Sequence, residues 1–163
     1  MIHPTLILQF LVLLTLANGT PVIAKKLLGD KFAQPLDGYA VFLDGRPLLG
    51  PSKTIRGIVL SILVTALCAP LIGLDWNTGF VVAIMAMTGD LFSSFLKRRM
   101  NLPPSSRAIG LDQIPESLFP ALACQSMLEL TVLDIVMIVI IFFVGEVILS
   151  RLLFIWGIRD RPF

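Results

Sequence analysis

The sequence predicts an all-α, polytopic membrane protein of about five transmembrane helices with long cytoplasmic loops. Composition, the spacing of apolar segments and the placement of basic residues carry that reading. Hydrophobic residues make up 56% of the 163, charged residues only 15%, and the mean hydropathy is +0.88. Soluble domains are roughly 45–50% apolar and about 25% charged, so both departures point to lipid as the solvent. A spanning helix needs about 20 mainly apolar residues. Five segments qualify: Pro4–Thr20, Gly57–Leu74, Gly79–Leu96, Ile114–Leu130 and Leu133–Trp156.

The first segment is expected to end at Asn18-Gly19-Thr20-Pro21. It is read as a helix, because Met1-Ile2-His3-Pro4-Thr5 lacks the basic start of a signal peptide. All 13 Lys and Arg residues fall into three places. Lys25, Lys26, Lys31, Arg46, Lys53 and Arg56 follow the first segment, and Lys97, Arg98, Arg99 and Arg107 follow the third. Arg151, Arg159 and Arg161 lie at or beyond the end of the fifth. The connections around Asp75 and from Glu129 to Asp134 hold no basic residue. Basic loops stay in the cytoplasm, so the expected orientation is N-terminus outside and C-terminus inside the cytoplasmic membrane. Trp76 and Trp156 then fall at opposite interfaces.

The cytoplasmic stretches 21–56 and 97–113 are long and rich in Gly, Pro and charge, whereas the external turns are short connectors. Without an internal repeat or second domain, residues 1–163 read as one membrane-embedded unit. Cys68 and Cys124 lack metal-ligand spacing and read as buried thiols, and His3 receives no role.

Four acids within or beside the spans are informative: Asp90, Asp112, Glu116 and Glu146. An intramembrane carboxylate is costly, so it marks a functional site by default. Asp90 lies seven residues before Lys97, about 10 Å up the third helix from its inner end. Asp112 and Glu116 are four apart and share a face, which puts Glu116 about 6 Å into the membrane. Ser93, Ser94 and Lys97 share the face of Asp90, and Gly89 with Ser93 makes a pair of small residues that admits a close neighbour. A purely structural Asp90–Lys97 pair is the simpler alternative, but it leaves the second acidic pair and Arg98-Arg99 unexplained. For Glu146 the structural reading is at least as good.

The run Leu43-Asp44-Gly45-Arg46-Pro47-Leu48-Leu49-Gly50-Pro51-Ser52-Lys53-Thr54-Ile55-Arg56-Gly57 ends where the second span begins. Its glycines, its cations Lys53 and Arg56, its hydroxyls Ser52 and Thr54 and the helix N-terminus beyond suit a polyphosphate. A basic loop that merely obeys the positive-inside rule is the plainer alternative. It is not a Walker loop, since Gly-x-x-x-x-Gly-Lys is absent. A transporter lined by Asp90, Glu116 and Glu146 competes as a function, but five helices without a repeat do not fit the usual transporter plan.

Asn18 with Pro21, the Asp44–Gly57 run, Gly89-Asp90-Leu91-Phe92-Ser93-Ser94-Phe95-Leu96-Lys97-Arg98-Arg99 and Leu111-Asp112-Gln113 together resemble the CDP-archaeol synthase family, in order and with similar spacing. That family is related to the CDP-diacylglycerol synthases. The resemblance implies an enzyme, a cytidylyltransferase, in which a lipid phosphate attacks the α-phosphorus of CTP to give a CDP-lipid and pyrophosphate. Its implied partners are CTP, a membrane lipid phosphate and the bilayer, with no nucleic acid. It also implies Mg²⁺ on Asp90 and Asp112, with Glu116 as a further candidate ligand, and Asp90, Asp112 and Lys97 as the catalytic group. Lys53, Thr54, Arg56, Ser94, Arg98, Gln113 and Asn18 become the candidate substrate contacts. The alternative within the family is a non-catalytic relative that binds a lipid phosphate or scaffolds a membrane complex.

Overall fold

The computed structural model describes residues 2–103, 108 and 110–155. Trp156, Arg107, Arg159 and Arg161, used above for orientation, lie outside the described residues. Five α-helices run in order: α1 (Pro4–Leu28), α2 (Ile55–Cys68), α3 (Trp76–Arg99), α4 (Gln113–Ala123) and α5 (Val132–Ile155). A 3₁₀ turn over Ala69–Ile72 extends α2. Among the described residues, four elements are long and apolar enough to cross a membrane: α1, α2 with its 3₁₀ turn, α3 and α5. The all-α, multi-pass membrane class holds, with a different division among the spans.

The first difference is α1, which continues through Pro21 to Leu28 instead of ending near Asn18. Proline has no N–H for the carbonyl four residues back, which usually kinks or ends a helix. Here that carbonyl belongs to Ala17, and the Ser61 hydroxyl on α2 donates to it at 2.7 Å. The Asn18 amide and the Thr20 hydroxyl bond back to the carbonyls of Leu14 and Leu16 within the same helix. A partner 44 residues away thus replaces the missing bond.

The second difference is α4. An 11-residue helix is about 16 Å long, half the roughly 30 Å hydrocarbon layer, and it ends at Ala123 rather than Leu130. It does not begin at the membrane surface. Any Cβ at Gly89 would overlap the Pro115 carbonyl and the Glu116 amide, so the backbones of α3 and α4 touch there. Gly89 lies ten residues before Arg99, about 15 Å from that end of α3. The α3–α4 connection therefore folds back into the bundle, and α4 has only the remaining depth to cross.

Antiparallel packing orders the rest. Gln9 on α1 donates to the Ile72 carbonyl at 2.6 Å, while Gly57 at the start of α2 packs on Pro21. A Cβ on Gly79 of α3 would lie 2.6 Å from the Thr65 carbonyl oxygen of α2, a second close approach. The apolar core joins Phe10, Leu13, Leu14 and Ala17 of α1 to Val82, Ala83 and Ala86 of α3 and to Ile135 and Ile138 of α5. At one end, buried Asp134 accepts from the His3 backbone N–H at 2.9 Å and from the Thr131 N–H and hydroxyl at 2.9 and 2.8 Å. The His3 ring Nδ1 lies 2.9 Å from Oδ2, the oxygen that Thr131 also bonds. His3 thus has a structural place the sequence did not suggest. The opposite end carries Lys25, Lys26, Lys53, Lys97, Arg98 and Arg99, and is the basic end.

The contact at Gly89 gives the first prediction. Gly89→Ala is expected to lower the unfolding midpoint in detergent, by about 1–3 kcal/mol of overpacking. Gly19→Ala, where a Cβ meets nothing within 4 Å, serves as the neutral control. Equal midpoints for the two variants would show that α3 and α4 are not in backbone contact.

Candidate active site

Residues 34–55, between α1 and α2, form a closed hairpin. Leu36 N–H donates to the Lys53 carbonyl at 2.7 Å and Ile55 N–H to the Gln34 carbonyl at 3.0 Å. Further out, Leu48 N–H reaches the Ala40 carbonyl and Phe42 N–H the Arg46 carbonyl, both at 2.8 Å. The turn is Asp44-Gly45, a dipeptide suited to positive φ, and Gly45 has φ +76°. Asp37 substitutes for missing backbone acceptors by taking the N–H groups of Leu49 and Gly50 at 2.9 and 3.0 Å. Burial pushes the Asp37 carboxyl up, but the N–H groups of Gly50, Leu49 and Tyr39 outweigh it and hold the carboxyl below its ordinary 3.8.

At the base of this hairpin, Lys53 Nζ lies 2.5 Å from both carboxylate oxygens of Asp90 on α3. Asp90, for which a pair with Lys97 was the simpler alternative, thus meets a cation from the hairpin. Lys97 pairs instead with Asp112, at 2.8 Å, and crosses from α3 to the start of α4. Helix spacing put Lys97 on the face of Asp90; the folded hairpin brings Lys53 to that carboxylate. Burial works against the charge of Lys53, and Asp90 more than offsets it, with Glu116 and Asp112 adding to the effect. Its pKa accordingly stands above the ordinary 10.5.

The other acids gather at the same place. Glu116 is 7% exposed, and its amide abuts Gly89, so it sits level with Asp90 and deeper than a helix start at the membrane surface would put it. It is within electrostatic reach of Asp90, Asp112, Lys53 and Glu146. Glu146 of α5, grouped with Asp90 and Glu116 from the sequence, is thus within reach of the same cluster. Asp112 Oδ1 is buried and makes its ion pair without hydrogen-bond alignment.

The remaining candidates divide. Ser94 and Arg98 are buried on the α3 face of Asp90, at 3% and 4% exposure. Arg98 Nη2 donates to the Pro103 carbonyl at 2.7 Å, while its Nε and Nη1 are buried without a hydrogen-bond partner. Arg98 borders a cavity of about 310 Å³ with Arg46, Pro47, Asn101, Leu102 and Pro103. A larger cavity, about 470 Å³, lies at the opposite end beside His3, away from the lysine–carboxylate pairs; chemistry rather than size marks the site. Thr54 caps α2 by accepting the Gly57 N–H at 3.2 Å, and the Gln113 side chain accepts the Gly110 N–H at 2.8 Å. Arg56 donates to the carbonyls of Gly29 (3.1 Å) and Lys31. Asn18 bonds within α1. In these contacts, Thr54, Gln113, Arg56 and Asn18 build the scaffold around the acids.

The hairpin has a checkable pH dependence. Because the folded carboxyl of Asp37 titrates below its ordinary value, its contribution is complete above about pH 4 and is lost as pH falls through the lowered value. Hydrogen exchange at the Leu49 and Gly50 amides is expected to accelerate over that acid range beyond the intrinsic pH trend. In Asp37→Asn the same amides should exchange fast even at neutral pH.

Known proteins share this architecture. The family model described as CarS-like, CDP-archaeol synthase, matches residues 71–162. The CDP-archaeol synthase of Sulfurisphaera tokodaii is 32% identical over 152 residues, covering 90% of this chain and 88% of that one. That of Thermofilum pendens is 30% identical over 153 residues, covering 90% and 74%. That of Pyrococcus furiosus is 39% identical over 107 residues, 60% of each chain. A solved intramembrane enzyme for archaeal membrane lipids biosynthesis superposes with a TM-score of 0.67 at 25% identity, over 85% of this chain and 91% of that one. A four-span bundle with a short helix folded back onto its acids, matched in sequence over most of its length, belongs to the CDP-archaeol synthase family, membrane enzymes that use CTP to make a CDP-lipid.

Proposed function

We propose that this chain transfers CMP from CTP to a lipid phosphate at the cytoplasmic face of the membrane, releasing pyrophosphate. A lipid phosphate oxygen forms the new bond to the α-phosphorus, and the bond from that phosphorus to the β-phosphate bridge breaks. The name of the relatives supports an archaeol-type lipid as acceptor. The observation that carries the reading is the crossed pairing of Lys53 with Asp90 and Lys97 with Asp112, which gathers two cations and two carboxylates from the hairpin, α3 and α4.

These residues suit polyphosphate chemistry. An ammonium has three N–H donors, so Lys53, which spends two on Asp90, keeps one for a phosphate oxygen. Arg98 adds two buried N–H groups without partners, which an anionic oxygen would satisfy. Transfer of this kind asks for alignment and for neutralisation of phosphate charge, and no side-chain nucleophile is required.

Mg²⁺ fits the donor set. Among the described residues no three acids are placed to enclose a metal by themselves. Mg²⁺ typically takes one or two carboxylates together with phosphate oxygens and water, and the buried Asp112 Oδ1 without a hydrogen bond is such a donor. Asp90 and Asp112 would hold the ion, with Glu116 beside them, and the ion would neutralise phosphate charge.

In this reading the basic end faces the cytoplasm, where CTP is found, and the His3 end faces outward. Cysteine labelling at Asn101 and Asn77, in a background without Cys68 and Cys124, is expected to give inside and outside respectively; the reverse pattern would overturn the orientation. Purified protein with labelled CTP and a panel of lipid phosphates tests the activity. Asp90→Asn and Asp112→Asn should each reduce lipid-dependent pyrophosphate release by at least about a hundredfold, with folded protein still in the membrane. Lys53→Ala should weaken CTP binding measured by calorimetry with Mg²⁺. Near-normal turnover in both aspartate variants would sink the two-carboxylate site.

A further inference from the structure

We propose that Arg99 is a positioning residue: it pegs the tip of the 34–55 hairpin to α3, so that Lys53 at the hairpin base is held over Asp90. The inference rests on the site reading above and assigns a role to a residue outside it. Lys97-Arg98-Arg99 invites treatment of all three cations as phosphate ligands, but Arg99 spends its donors elsewhere. Its Nη1 pairs with Asp44, and its Nη2 donates to the Pro47 carbonyl at 2.6 Å and, more weakly, to the Arg46 carbonyl at 3.4 Å. The guanidinium lies over the ring of Phe42, 4.7 Å from its centroid, and 5.1 Å from that of Phe95. Those rings meet edge to face at 5.3 Å. Arg46 returns a bond to the Arg99 carbonyl at 2.5 Å. The Nε is buried without a partner.

The hairpin is thereby fixed to α3 at two points, Asp90 and Arg99, nine residues or about 13 Å apart along the helix. Between them it is braced by its own ladder and by Asp37. A braced segment held at both ends cannot tilt, so the hold on the tip determines where the base lies. The lysine stem is long and flexible, and its pose follows the backbone that carries it. Release of the tip lets the hairpin swing and takes the aim from Lys53, although Arg99 itself touches no substrate.

Double-mutant kinetics in the full-length protein test this. Arg99→Ala is expected to raise KM for CTP about tenfold, with kcat changed by less than about threefold. Asp44→Asn, which removes only the ion pair at an outer side chain, should move KM in the same direction, and Asp44→Glu should restore it. In Lys53→Ala/Arg99→Ala the loss should be no larger than in Lys53→Ala alone, because one acts through the other. A merely structural role would lower the melting temperature without that non-additivity. Additive losses, or an unchanged KM in both Arg99→Ala and Asp44→Asn while the wild type turns over CTP, overturn the inference alone. A wild type that neither binds nor turns over CTP overturns the site reading and this inference with it.

Discussion

A carboxylate set among membrane helices needs a cation brought to it, and the Lys53–Asp90 pair meets that need here. The cation comes from a loop, so the loop must fold back to bundle depth and stay there. That requirement accounts for much of the surrounding structure. The hairpin bonds its backbone internally and through Asp37, so little of its polar surface is left unpaired beside the membrane. Thr54, next to Lys53, caps α2 and fixes where the helix begins. Gly57 then packs on Pro21 of α1, so the same short stretch sets the spacing of the first two helices.

The second carboxylate follows from a different device. Irregular backbone is tolerated at membrane depth only where protein or a polar cavity surrounds it. The α3–α4 connection meets that condition. Of its described residues, Leu111 and Asp112 donate to the Ala108 carbonyl and Gly110 to the Gln113 side chain, and α3 lacks a side chain at Gly89 where α4 arrives. A full-length fourth span would have put Asp112 at the surface. The shortened helix instead brings Asp112 to Lys97 and sets Glu116 beside Asp90.

Much of this was legible in the sequence, and what was hidden has definite causes. Hydropathy located the four long spans, because lipid contact demands continuous apolar stretches. The acids that matter were legible too, since their cost in lipid singles them out. Helix ends were less so: Pro21 reads as a terminator until Ser61 supplies the missing bond from another helix. Helical spacing correctly put Asp90, Ser93, Ser94 and Lys97 on one face, yet it could not reveal that both charged members pair across elements. Glu146 stood out as an intramembrane acid and Arg99 as one of a basic run, but neither showed what it would meet. One is recognised only when α5 is packed against α4, the other only when the Asp44-Gly45 turn is folded onto α3.

The two ends of the bundle show how one residue type serves structure in one place and chemistry in another. Asp134 is as buried as any acid among the described residues, but both its oxygens are taken, by local Thr131 and by His3 from the other end of the chain. It has little bonding capacity left, so it closes that end. At the basic end the charges are balanced only in part. Asp112 Oδ1 has an ion pair without a hydrogen bond, and Arg98 has two buried N–H groups without acceptors. Native proteins satisfy nearly all their buried polar groups, so the two unpaired N–H groups of Arg98 mark where a ligand completes the structure. By that criterion the smaller cavity beside Arg98, rather than the larger one beside His3, belongs to the site.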